Sequence, residues 1–254
     1  MHNRNRSWWR LAVWLLVLFG VQQAFAIPRE DNTEKEENLK QQASGGLFHR
    51  WTFDQPSSEA ALGDFSQIGL GEGPTGVWAI APETQAPSPP HILKAASACQ
   101  AEFCYRMLVA NKLEYEYPDV SVSLRSPGDG KGGQGGIVIS VKDSENFYAA
   151  IVDLAAKKLD ILRVLKGQVT LLGQTPITPK PVEWHSLRIQ RDTIISKDVI
   201  DAFFDGLLVL SVRDQSLGKG QVGVVVDRNS SLDFDSLHAI PLFSQRPFSA
   251  PAAY

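Results

Sequence analysis

The stretch "DVSVSLR" (119–125) limits the fold more than any other. Val120, Val122 and Leu124 alternate with Ser121, Ser123 and Arg125, so one face meets a core and the other does not. Similar short runs, rich in Val, Ile, Leu and Phe, recur along the chain between turn residues. They fall at 47–53, 76–80, 91–94, 103–110, 119–125, 135–141 and 147–153. The rest fall at 159–165, 168–173, 183–191, 199–205, 207–213, 222–226 and 232–240. Asp205-Gly206 marks a tight hairpin, because a positive φ is inexpensive there. Asp143-Ser144-Glu145-Asn146 reads as a second turn, since such side chains bond nearby backbone. No long helical period and no fixed repeat appears. The pattern predicts an all-β, two-sheet antiparallel sandwich in one domain.

The N-terminus reads as an export signal. Arg4, Arg6 and Arg10 precede an apolar stretch from Leu11 to Val21, and Ala24-Phe25-Ala26 offers a cleavage site. Eleven apolar residues are fewer than the ~20 that span a bilayer, although an uncleaved anchor is the alternative. Cleavage after Ala26 would leave 228 residues and lower the net charge from −3 to −6. This predicts a signal peptide (1–26), a charged linker (27–46), a sandwich domain (47–241) and a loose tail (242–254). The expected location is periplasmic or extracellular. An acidic chain without a basic cluster is a poor partner for nucleic acid, and no basic amphipathic helix suggests a membrane surface after cleavage. Oligomeric state has no signature in the sequence.

Motifs for chemistry are sparse. "GDGKGGQGG" (128–136) is followed by a strand rather than a helix, so it reads as a hairpin loop and not a nucleotide cradle. "EYEYPDV" (114–120) has the wrong order of acids for a laminarinase-type glycosidase, and Pro118 interrupts the strand. None of the five histidines pairs at metal spacing, so no metal or cofactor is expected. A calcium ion would fit a lectin-like reading, but the acids alone do not establish one. His185 shares parity with Leu187 and Ile189 and reads as a packed histidine. No Gly-x-Ser-x-Gly elbow supports serine hydrolysis. Cys99 and Cys104 would close a small disulfide loop in an oxidising compartment, with two separate thiols as the alternative.

Aromatic residues matter because sugar rings stack on them. Trp51, Trp78, Tyr148 and Trp184 are the candidates, with Arg125, Asp153 and Arg163 as polar neighbours. Tyr148 and Asp153 have opposite parity, so without a bulge only one of them can face a ligand.

Several stretches taken together carry a resemblance. "WTFD" (51–54), "PDVSVSLR" (118–125) and "GGIVISVKDSENFYAAIVD" (135–153) are followed by "EWHSLRIQRD" (183–192) and "FFDGLLVLSVRD" (203–214). "GKGQVGVVVD" (218–227) and "LDFDSLHAI" (232–240) complete the order. It resembles the laminin-G-like, concanavalin A-like jelly roll of exported bacterial proteins. It is especially similar to the 3-keto-disaccharide hydrolase-like family, a relative of glycoside hydrolase family 16. The resemblance implies a curved sheet whose concave face receives glycans, and it transfers no catalytic residues. The expected function is a non-catalytic binding module for a carbohydrate or surface glycan, using Trp78, Arg125, Tyr148, Asp153, Arg163 and Trp184. The alternatives are a hydrolase of the 3-keto-disaccharide type and a structural or protein-interaction domain of the envelope.

Overall fold

The computed structural model describes residues 48–55, 57–127, 133–180, 183–194 and 197–242. The expected signal peptide and charged linker lie outside them, as do residues 128–132 of the glycine-rich loop and all but Leu242 of the tail. In chain order the elements are β1 (His49–Trp51), a short helix α1 (Ser58–Leu62), β2 (Phe65–Leu70), β3 (Val77–Pro82) and β4 (His91–Ala96). Next come β5 (Tyr105–Ala110), β6 (Pro118–Arg125), β7 (Gln134–Asp143), β8 (Asn146–Asp153), β9 (Lys158–Leu165) and β10 (Gln168–Pro176). The last are β11 (His185–Ile194), β12 (Lys197–Phe204), β13 (Leu207–Arg213), β14 (Gln221–Val226) and β15 (Ser231–Pro241).

These strands form two antiparallel sheets. The first runs β13-β12-β11-β6-β15-β4-β3, with β1 also paired to β15. The second runs β10-β9-β8-β7-β14-β5-β2. The core between them follows the alternation seen in the sequence. Val120, Val122 and Leu124 of β6, Leu187 and Ile189 of β11, and Leu232, Phe234 and Leu237 of β15 point inward from the first sheet. Leu108 of β5, Ile137 and Ile139 of β7, and Tyr148, Ala150 and Val152 of β8 meet them from the second. The second sheet is apolar on its other face as well. Tyr105, Met107, Val109, Val138, Phe147, Ala149, Ile151, Leu162, Val164 and Val225 form a separate cluster there. A strand buried on both faces has no polar alternation to keep, which explains the unbroken apolar run from Phe147 to Val152.

The turns follow local chemistry. Asp205 (φ 49°) and Gly206 (φ 80°) sit between β12 and β13, both in the left-handed region that a tight hairpin requires. Asp143 and Asn146 end and begin adjacent strands, and Asp143 Oδ1 accepts from the backbone N–H of Glu145 at 2.8 Å. Asn146 Nδ2 donates to the same oxygen at 2.9 Å. Two elements were not visible in the sequence. β2 is an edge strand paired only to β5, half exposed and interrupted by Gly69, so its alternation is weak. α1 is a single turn capped by Ser57, whose side chain accepts from Ala60 N–H at 3.2 Å. β5 begins at Tyr105 rather than at residue 103, after the Cys99–Cys104 disulfide has closed the preceding loop.

Candidate functional site

The outward parity of β6 and β11 builds a polar surface. Antiparallel pairing sets Gln190 beside Asp119, Arg188 beside Ser121 and Ser186 beside Ser123. On the other flank of β6, β15 places Ile240, His238, Asp235 and Asp233 beside Asp119, Ser121, Ser123 and Arg125. β12 adds Phe203 beside Arg188, and β1 adds Arg50 beside His238. A depression of about 370 Å³ opens on this face, lined by Asp119, Ser121, Ser186, Arg188, Phe203, Gly206, His238 and Ile240.

Asp119 anchors the depression. It is 6% exposed, a position a carboxylate tolerates only when paired. Arg188 supplies a two-pronged partner, with Nε donating to Oδ1 at 2.7 Å and Nη2 to Oδ2 at 2.6 Å. Gln190 Nε2 donates to Oδ2 at 2.8 Å. The bond to Asp119 holds the Arg188 guanidinium above its usual range, against the opposing effect of burial. The guanidinium also lies over the Phe203 ring, 5.3 Å from its centre. His238 completes the set. Its Nε2 is buried and has no partner among the described residues. Burial, with a smaller contribution from Arg50, lowers its pKa from the ordinary 6.5, so the ring is neutral at pH 7. The depression thus presents a guanidinium edge, a carboxylate, two hydroxyls and an imidazole nitrogen beside apolar carbon. A pyranose ring offers a complementary surface of vicinal hydroxyls and C–H faces.

The residues singled out in the sequence are distributed differently. Arg125 and Trp184 lie on this same outer face, with the Arg125 guanidinium 4.7 Å from the indole centre. Arg125 is ion-paired to Glu83 at 2.5 Å and to Asp233 at 3.0 Å. Trp78 and Tyr148 are in the core between the sheets. Tyr148 is fully buried, donates its hydroxyl to Asp214 Oδ1 at 2.5 Å and accepts from Leu217 N–H at 3.0 Å. Arg163 meets the same Asp214 at 2.7 Å and Ser216 at 2.9 Å. Asp153 stands on the far side of the second sheet, accepting from Ala156 N–H and from Gln134 Nε2, both at 2.8 Å. Tyr148 and Asp153 therefore occupy opposite faces. His185 is packed as its parity predicts: its ring nitrogens meet Asp205 and the Lys180 carbonyl at 2.9 Å, and it stacks on Phe204.

Asp119, Arg188, Phe203 and His238 were not among those residues. The usable signal was the shared polar parity of "DVSVSLR" and "WHSLRIQ" once the two segments are read as neighbours. Adjacency of segments some 60 residues apart belongs to topology, and periodicity does not supply it.

No protein-family model matches the chain, and no curated protein sequence matches it. Solved structures do. The carbohydrate-binding module CBM66 from Bacillus subtilis is similar with a TM-score of 0.53 and 16% identity, over 70% of this chain and 95% of that one. A Bacillus subtilis protein with a galectin-like fold is similar with a TM-score of 0.53 and 11% identity, over 77% of this chain and 96% of that one. The cellulose-induced protein Cip1 gives a TM-score of 0.54 at 12% identity, over 76% and 97%. These likenesses show the fold, a jelly-roll β-sandwich.

Proposed function

We propose that this protein is an exported, non-catalytic module that binds a carbohydrate in the depression on the outer face of the first sheet. The observation that carries this reading is the pairing of Arg188 with Asp119 beside Phe203 and the unpartnered Nε2 of His238. Fixed polar groups next to apolar carbon are what a sugar ring needs, and the ion pair holds Arg188 in place before a ligand arrives. Because Asp119 offsets the Arg188 charge, the depression suits a neutral polyhydroxylated ligand. The jelly-roll fold shared with a carbohydrate-binding module supports the reading. Export is supported by the basic and apolar N-terminal segment ending at Ala26. Among the described residues one carboxylate, Asp119, lines the depression, whereas glycoside hydrolysis uses two across the scissile bond. That favours binding over the hydrolase alternative.

The test is a glycan array probed with the protein lacking residues 1–26, followed by calorimetry on the positive sugars. Binding that falls at least tenfold in Arg188→Ala is the expected outcome. Absence of signal on every sugar would overturn the reading and leave a structural or protein-interaction role ahead.

A further inference from the structure

The same face carries a second aromatic and cationic cluster, and we propose that it is a second sugar subsite, making the ligand an oligosaccharide chain rather than a single terminal sugar. This inference rests on the carbohydrate reading above and specifies the length and course of the ligand.

Arg125 and Trp184 stand beyond the depression along β6 and β11. Ser121 borders the depression and Arg125 lies four residues further on the same outward face, a distance of roughly 13 Å at the usual strand rise. That exceeds a single sugar ring and falls within reach of a short oligosaccharide. The surface between is suited to a chain. Ser123 and Ser186 face each other across the two strands, so the floor is made of small side chains with hydroxyl groups. On one side, the segment before β4 is tied down over the sheet, with Ser88 N–H donating to Asp235 Oδ2 at 2.6 Å.

The Arg125–Trp184 pair is prearranged. Arg125 Nε donates to Asp233 Oδ2 at 3.0 Å and Nη2 to Glu83 Oε2 at 2.5 Å, and neither bond uses Nη1. Held by two carboxylates, the guanidinium lies over the indole, 4.7 Å from its centre. A ligand that meets this pair orders little further side-chain freedom on binding. Trp184 is half-buried, and its Nε1 is itself buried with no partner among the described residues. An indole beside a guanidinium nitrogen with no partner among the described residues repeats, at the far end of the strands, the chemistry of Phe203 beside Arg188. Two such platforms on one face, joined by serine hydroxyls, describe a track parallel to β6 and β11.

The experiment measures affinity for ladders of β-1,4-gluco-, β-1,4-xylo- and α-1,4-gluco-oligosaccharides of about one to six units. In the ladder that binds, affinity rises about tenfold or more from one unit to four, then levels off. Trp184→Ala removes the rise and leaves single-unit affinity unchanged, whereas Trp184→Phe, which keeps a ring, retains part of it. Arg188→Ala weakens binding at every length. Length-independent affinity, or an equal loss at all lengths in Trp184→Ala with Trp184→Phe folded and no better, would overturn the second subsite while leaving the first standing. Failure of the unaltered protein to bind any ladder or single sugar would overturn the carbohydrate reading and the track with it.

Discussion

The outward faces of the two sheets differ in chemistry although the same alternation builds both. On the first sheet, Asp119, Ser121, Ser123 and Arg125 of β6 lie beside Ser186, Arg188 and Gln190 of β11. On the second, Tyr105, Met107 and Val109 of β5 lie in line with Val225, Val138, Phe147, Ala149, Leu162 and Val164. The polar face satisfies its charges internally, as Asp119 does with Arg188, and retains unused hydrogen-bonding capacity for a ligand. The apolar face gains stability by burial and offers almost no directional partner. Its exception is the end where Asp153, Asp160 and Asp227 gather near Lys158. If the polar face binds the sugar as proposed, recognition and stability lie on opposite sides of the sandwich, and substitutions that remove similar bulk should separate them.

The largest effect is expected on the apolar face. Phe147 is fully buried and meets the Tyr105 ring edge-on, with centres 6.1 Å apart. Phe147→Ala should lower unfolding free energy by about 3–5 kcal/mol while leaving sugar affinity of the folded fraction intact. Urea denaturation measures the first and calorimetry the second. A loss under about 1 kcal/mol would mean that this face is not a second core, and the contrast would collapse.

On the polar face the balance reverses. Asp119→Ala leaves Arg188 and Gln190 without their common acceptor, but the Arg188 side chain is 43% exposed and water replaces much of what is lost. Stability should fall by about 1–2 kcal/mol, with sugar affinity reduced at least tenfold because Arg188 loses its fixed position. Unchanged affinity in this variant would move the binding surface elsewhere.

The two faces were also unequally legible in the sequence. Alternation in "DVSVSLR" fixed the inward and outward sides of β6, and Asp205-Gly206 fixed a hairpin. The run "FYAAIV" gave no such cue, because a strand buried on both faces looks the same in either register. Tyr148 was read as a ligand candidate for its aromatic ring, and nothing in the run contradicted that, although it faces the core and bonds Asp214. Arg125 and Trp184 were singled out because charge and aromaticity stand out singly, and the structure places both on the outer face. Asp119, Arg188 and His238 were not, since their meaning comes from three strands, β6, β11 and β15, that meet only in the folded sheet.

The acidic end of the apolar face gives a smaller and pH-dependent effect. Burial, reinforced by Asp153 against the bond from Arg228 N–H, raises the Asp227 carboxyl from 3.8 to about 6. The folded state therefore holds this proton more tightly than the unfolded chain. The associated stability is complete below pH 3.8 and is lost as pH rises through about 6. Asp227→Asn fixes the neutral form. It should stabilise the protein at pH 7 by something on the order of 1 kcal/mol, allowing for partial exposure, and by nothing measurable near pH 4. An equal change at both pH values would show that the carboxyl titrates normally.

The smallest expected effect tests the polar face through His238. Burial lowers its pKa below 6.5, so acidification beneath the ordinary imidazole range charges the unfolded chain first and the folded protein later. Stability associated with the neutral ring is present above pH 6.5 and declines as pH falls through the lowered value. The groups facing the ring define the consequence for binding. Arg50 on β1 is already cationic, Ser121 on β6 is neutral, and Asp119 is engaged by Arg188 and Gln190. A proton on His238 therefore adds a second positive charge beside Arg50 and converts Nε2 to a donor only. Affinity for a neutral sugar should fall about two- to threefold once the ring is protonated, a change of a few tenths of a kcal/mol. His238→Gln keeps a hydrogen-bonding side chain without the titration and should flatten the profile. A flat affinity profile across the protonation of His238, followed by NMR in the unaltered protein, would place the ligand out of reach of β15 and confine the polar site to β6, β11 and β12.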